Sequence, residues 1–96
     1  MPRLAFENTF RKSYQKSLTR RGQEGTDIAL VRLARNPQDP SLHFKPIQPR
    51  KIYWEIRSTY SVRVILRREH DAEGEILVVV DVGEHDIIEH YASRRR

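Results

Sequence analysis

The spacing of apolar residues changes repeatedly along this chain, and each change marks an element. Residues 3–7 alternate, with Leu4 and Phe6 on one side, which predicts a short first strand. Phe10, Tyr14 and Leu18 then recur every fourth residue and form one stripe of a helix, with Arg11, Lys12, Lys16 and Arg20 on its other faces. Asn8 or Thr9 can start that helix by offering a side-chain oxygen to its free N–H groups, and Gly22 stops it just past Arg20. The short 22–25 linker makes the next helix an antiparallel neighbour. Thr26 or Asp27 caps the second helix, and Ile28, Leu30, Val31, Leu33 and Ala34 are its apolar positions. It ends near Arg35, because Pro37 disfavours a helical Asn36.

The proline-rich stretch 36–50 reads as a loop anchored by Leu42 and Phe44, with His43 and Lys45 pointing the other way. Alternation returns at residues 52–60. Ile52, Trp54 and Ile56 face the helices, while Tyr53, Glu55 and Arg57 face away. The next strand repeats the division, with Val62, Val64 and Leu66 inward and Arg63, Ile65 and Arg67 outward. Residues 69–74 form a polar hairpin loop. The nearly unbroken apolar run within 75–82 predicts a central strand buried on both faces. It breaks at Gly83, passes through Glu84, His85 and Asp86, and closes with a short helix, Ile87 to Tyr91. The expected architecture is α+β: a helical hairpin packed on a small antiparallel-rich sheet, in the order β-α-α-β-β-β-(α). Its second sheet face is polar and runs toward His85.

Composition narrows the class. At 96 residues the expectation is one domain spanning 1–96, with the arginine tail 94–96 flexible. The absence of cysteine excludes disulfides and thiolate metal sites. No apolar run approaches the ~20 residues of a membrane span, and the first residues do not resemble a signal peptide. A soluble, cytoplasmic protein with no membrane partner is expected. The net charge of +5, from 18 basic and 13 acidic residues, suits a polyanionic partner, either nucleic acid or an acidic protein. A merely well-solvated surface accounts for the charge equally well.

Four features together carry a resemblance: the element order, the Leu42–Ile47 segment LHFKPI after an Asn-Pro loop, the strand VRVILRRE (Val62–Glu69), and VDVGEHDIIEHY (Val80–Tyr91). The chain resembles the RelE/ParE toxin superfamily over nearly its whole length, above all its RelE-type mRNA interferases. The resemblance implies a toxin of a type II toxin–antitoxin system that cleaves mRNA on the ribosome and so inhibits translation. It implies no metal or cofactor, and a cognate antitoxin through which the complex binds operator DNA.

Such cleavage activates a ribose 2′-OH for in-line attack on the adjacent phosphate. It needs a proton acceptor, positive charge where the phosphorane develops, and an acid for the 5′-oxygen. By resemblance, Arg63 contacts the scissile phosphate, His85 is the acid and Tyr91 contacts the substrate base. Imidazole suits the acid role because it ordinarily titrates near pH ~6.5. The strand that carries two lysines in well-known relatives here holds Tyr53 and Glu55. Glu55 is the candidate base, or else a surface partner of Arg57 or Arg63; Tyr53 is a candidate stacking residue. Lys45, Lys51, Arg57 and Arg67 are candidates for RNA contacts. His43 and His90 rank below His85. The missing lysines leave two alternatives open: a non-catalytic, ParE-like inhibitor of gyrase, or a member that only binds its antitoxin as a co-repressor.

Overall fold

Thr19 decides where the second helix begins. In the computed structural model, which describes residues 2–93, helix α1 spans Asn8–Ser17 and helix α2 spans Arg20–Arg35. The connection is Leu18 and Thr19, not the expected 22–25 linker. The Thr19 side chain accepts a 3.1 Å hydrogen bond from the Gly22 N–H, so a capping hydroxyl overrides the glycine as a stop signal. Gly22 and Gly25 lie within α2. A β-carbon on Gly25 would collide with Thr59 Cγ2, so glycine there lets the helix lie against the 58–61 turn. Helix α1 is capped by Glu7 without a side-chain hydrogen bond, and Asn8 and Thr9 are already helical. The end of α2 at Arg35 is as expected.

A single 3-10 turn at Pro40–Leu42 follows, and buries Leu42. The strands are β1 (Arg3–Phe6), β2 (Lys45–Pro46), β3 (Trp54–Arg57), β4 (Val62–Asp71) and β5 (Gly74–Glu84), and helix α3 (Ile87–Ala92) closes the described chain. The sheet order is β1-β5-β4-β3-β2. Among the described residues only β1 and β5 run parallel; the other pairs are antiparallel. The architecture is the expected α+β one with an added two-residue strand, β2. β5 is flanked on both sides, although β4 is the middle strand of the five. Gly83 does not break β5. It pairs with Arg63, and the ladder continues to Glu84. A β-carbon at Gly83 would lie 3.1 Å from Ile87 Cδ1, so the glycine lets α3 fold back against the strand. The arginine tail lies outside the described residues.

A β-bulge sets which residues share a face. Ile65 pairs with Asp81 and Leu66 with Val79, leaving Val80 as the extra residue of β5. Leu77, Val79 and Val82 consequently all pack with Leu33, Ile56, Val64 and Leu66 under α1 and α2. Strict alternation would have turned Asp81 into that core. The opposite face is not the polar surface expected from the sequence. Ile47, Tyr53, Ile65, Val78, Val80 and Tyr91 form a second buried cluster there, with Ile52, Ile87 and Ile88 against it. Ile52 joins this cluster rather than Trp54 because the strand begins only at Trp54. α3 and the 47–53 segment cover what the sequence pattern alone left open.

Candidate functional site

On the α3 side, beyond the second cluster, a cleft of about 250 Å³ opens between His43, Lys45, Glu55, Arg57, Arg63, His85 and Ile88. Five elements carry its polar side chains. The backbone turn after the 3-10 segment places His43 in the left-handed region (φ 50°, ψ 47°), its N–H bonded to the Pro40 carbonyl. The short β2 adds Lys45, whose backbone pairs with Glu55. β3 and β4 set Arg57 directly opposite Arg63. The end of β5 releases His85 into solvent, one residue past Glu84.

Arg63 is the fixed point of this cleft. It is 5 % exposed, and its Nη1 donates to the backbone carbonyls of Thr59, Tyr60 and Val62, each at 3.1 Å. Its Nε stands 3.8 Å from Glu55 Oε1, close enough for ion pairing but too long for a hydrogen bond. Burial lowers the Arg63 pKa below its ordinary value, the Arg57 charge adds to the effect, and Glu55 opposes it. An arginine remains charged all the same. Glu55 is 7 % exposed, so the candidate base is recessed beside a clamped cation.

Several candidates lie elsewhere. Tyr91 is 2 % exposed, and its hydroxyl donates a 2.6 Å hydrogen bond to Asp81 Oδ2. Its ring meets the edge of the buried Tyr53 ring, with centroids 4.9 Å apart. Neither tyrosine lines the cleft, contrary to the expected stacking roles: both sit in the apolar cluster that supports α3. Arg67 is held between Glu69 and Glu7, at 2.6 and 3.0 Å. Burial alone would lower its pKa, but those two hydrogen bonds raise it. Its charge is thus met within the chain, away from the cleft. Lys51 is exposed at the end of the 48–50 turn, also outside the cleft. His90 is exposed on α3 against Tyr91.

Sequence reading missed Asp81. It is 8 % exposed, accepts from the Val82 N–H at 2.8 Å and from Tyr91, and so ties α3 to β5. The available signal was a lone carboxylate interrupting the 76–82 apolar run: such a residue needs a partner and a break in alternation. Among the described residues, no group of three or more His, Asp or Glu side chains is placed to hold a metal ion. No helix among them is long and apolar enough to cross a membrane.

No family model matches the chain, and no curated protein matches its sequence. Solved structures do match its fold. The YoeB/ParE toxin from Agrobacterium tumefaciens superposes with a TM-score of 0.67 at 20 % identity, covering 86 % of this chain and 98 % of that one. YafQ from Escherichia coli gives 0.69 at 14 % identity, covering 92 % and 98 %. The RelBE2 toxin–antitoxin complex from Mycobacterium tuberculosis gives 0.57 at 23 % identity, covering 88 % and 99 %. The chain therefore has a RelE/ParE-like toxin fold. At these identities the likeness concerns the fold, and function must be argued from the cleft.

Proposed function

We propose that this protein is the toxin of a toxin–antitoxin pair and an endoribonuclease that cleaves mRNA on the ribosome. The observation that carries the proposal is the gathering of Glu55, Arg57, Arg63, Lys45 and His85 around one cleft. Glu55 takes the proton of the ribose 2′-OH. The 2′-oxygen attacks the adjacent phosphorus in line with the P–O5′ bond. Negative charge grows on the non-bridging oxygens, and Arg63, held in the wall of the cleft, is the cation proposed to meet it; a preorganised donor needs no rearrangement as the charge develops. Arg57 and Lys45 hold the flanking phosphates. The P–O5′ bond breaks, and the His85 imidazolium gives its proton to the departing oxygen. The products are a 2′,3′-cyclic phosphate and a free 5′-hydroxyl. Tyr91 serves indirectly: through Asp81 it fixes α3, and with it the residues around His85.

The partner that restrains such a toxin is expected to be an acidic antitoxin segment complementary to this basic face. Expression of the chain should arrest growth and translation. His85→Ala and Arg63→Ala should each relieve the arrest, with the antitoxin doing so for the parent. Arrest undiminished in both variants would remove the mechanism. Inhibition of supercoiling by purified gyrase would favour the ParE-like reading instead.

A further inference from the structure

The turn between β3 and β4 is braced on every side yet offers an aromatic ring to solvent. Ser58 N–H donates to Val62 O, and Val62 N–H donates to Thr59 Oγ1. Thr26 of α2 lies within 3.4 Å of Ser58 Oγ, and Gly25 allows α2 to rest on Thr59. Arg63 ties down the Thr59 and Tyr60 carbonyls. Tyr60, at the tip, is nonetheless 93 % exposed, far more than Phe6, Ile28 or Val31. A rigid turn presenting a bare ring is preorganised for a flat ligand, because little ordering remains to be done on binding.

The surroundings favour RNA. Arg57 and Arg63, at the two feet of the turn, line the cleft described above. On its other flank, Thr59, Tyr60, Ser61 and Val62 share a groove of about 410 Å³ with Thr19, Arg21 and Glu84. The turn thus stands between the cations of the cleft and Arg21, with Tyr60 at its tip. Single-stranded nucleic acid is bound in this manner, by cations that follow the backbone and aromatic rings that stack on bases.

We propose that Tyr60 is a stacking platform for an unpaired RNA base next to the scissile phosphate, with Arg21 meeting the backbone on the far side of the turn. This rests on the RNase reading for the identity of the ligand. The base-stacking Tyr60 positions substrate and takes no part in proton transfer.

The test is direct binding of a short single-stranded RNA carrying 2-aminopurine, measured with the full chain as His85→Ala so that no cleavage intervenes. Stacking should quench the fluorescence. Tyr60→Ala should raise Kd about tenfold and abolish the quench. Tyr60→Phe should retain both, and Tyr60→Ala should leave the thermal midpoint unchanged because the ring is exposed. An unchanged Kd in Tyr60→Ala, failure of Tyr60→Phe to bind like the parent, or a defect confined to antitoxin binding would overturn the proposal. Quenching by a chain that cleaves no mRNA would leave the platform standing and remove only the proposed reaction.

Discussion

Beneath α1 and α2, the sheet meets the helices through Leu33, Ile56, Val64, Leu66, Leu77 and Val79, an apolar layer. On the α3 side the same strands bury Ile65, Val78 and Val80 beside Glu55, Arg63 and Asp81. The first face is stabilised by area removed from water. The second surrenders some of that gain. Its charges need partners, and those partners fix directions: Arg63 onto three carbonyls, Asp81 onto Tyr91. Replacing buried charge pairs with apolar residues is often neutral or stabilising, so a protein selected for stability alone has little reason to keep them. The difference between the faces is therefore an argument that the α3 side is shaped for a task.

The sharpest way to break that contrast is Arg63→Ala. It strips a donor from three carbonyls and leaves Glu55 unpaired, and should cost about 3–5 kcal/mol in urea unfolding as well as abolish activity. A cost below about 1 kcal/mol would mean that Arg63 is not structurally committed. Leu33→Ala, on the other face, should cost about 2–5 kcal/mol, yet leave activity per folded molecule unchanged. If it altered the specific rate tenfold, the separation of duties between the faces would fail. Tyr91→Phe removes one hydrogen bond to a buried carboxylate and should cost about 1–3 kcal/mol. Hydrogen exchange should rise first in α3; a uniform rise across the sheet would contradict the tie to β5.

The smallest effect expected is on acid stability. Hydrogen bonds from Arg3 hold the Asp71 carboxyl below its ordinary pKa, and hydrogen bonds from Ser41 do so for Asp39. A carboxylate whose pKa is lowered on folding stabilises the fold above its unfolded value, ~3.9, and that contribution is lost as pH falls through the folded value. The thermal midpoint should hold from neutral pH down to about 5 and decline below about 4. Asp71→Asn should shallow that decline slightly. An equally steep decline in the variant would show that surface pairing contributes nothing, as exposed pairs sometimes do.

Periodicity made most of the fold legible. Phe10, Leu18, Leu33, Val62, Val64 and Leu66 lie in the core that their spacing indicated. The helix boundary went astray because Gly22 and Gly25 read locally as linker, whereas Thr19 caps the helix through the Gly22 N–H and Gly25 serves a close approach to Thr59, a partner more than thirty residues away. The second face was misread for a related reason. Alternation says which side a residue takes, but not whether a later helix covers that side. The resemblance indicated His85, Arg63 and Glu55, which the fold brings to one cleft with Lys45 and Arg57. His43, ranked low in sequence, joins them because one left-handed residue turns the chain toward β2. Tyr53 and Tyr91, expected as substrate contacts, are core instead, because the sequence does not show that α3 folds back over this face of the sheet.

The proposed reaction is cleavage of RNA by 2′-OH attack in the cleft around Arg63 and His85. The most direct measurement is incubation of the purified chain with ribosomes programmed with a defined mRNA, followed by analysis of the fragment ends. Cuts that leave a 2′,3′-cyclic phosphate and a 5′-hydroxyl are expected, slowed by about 10²–10⁴-fold in His85→Ala. Intact mRNA, fragments bearing a 5′-phosphate, or equal rates for parent and variant would contradict it.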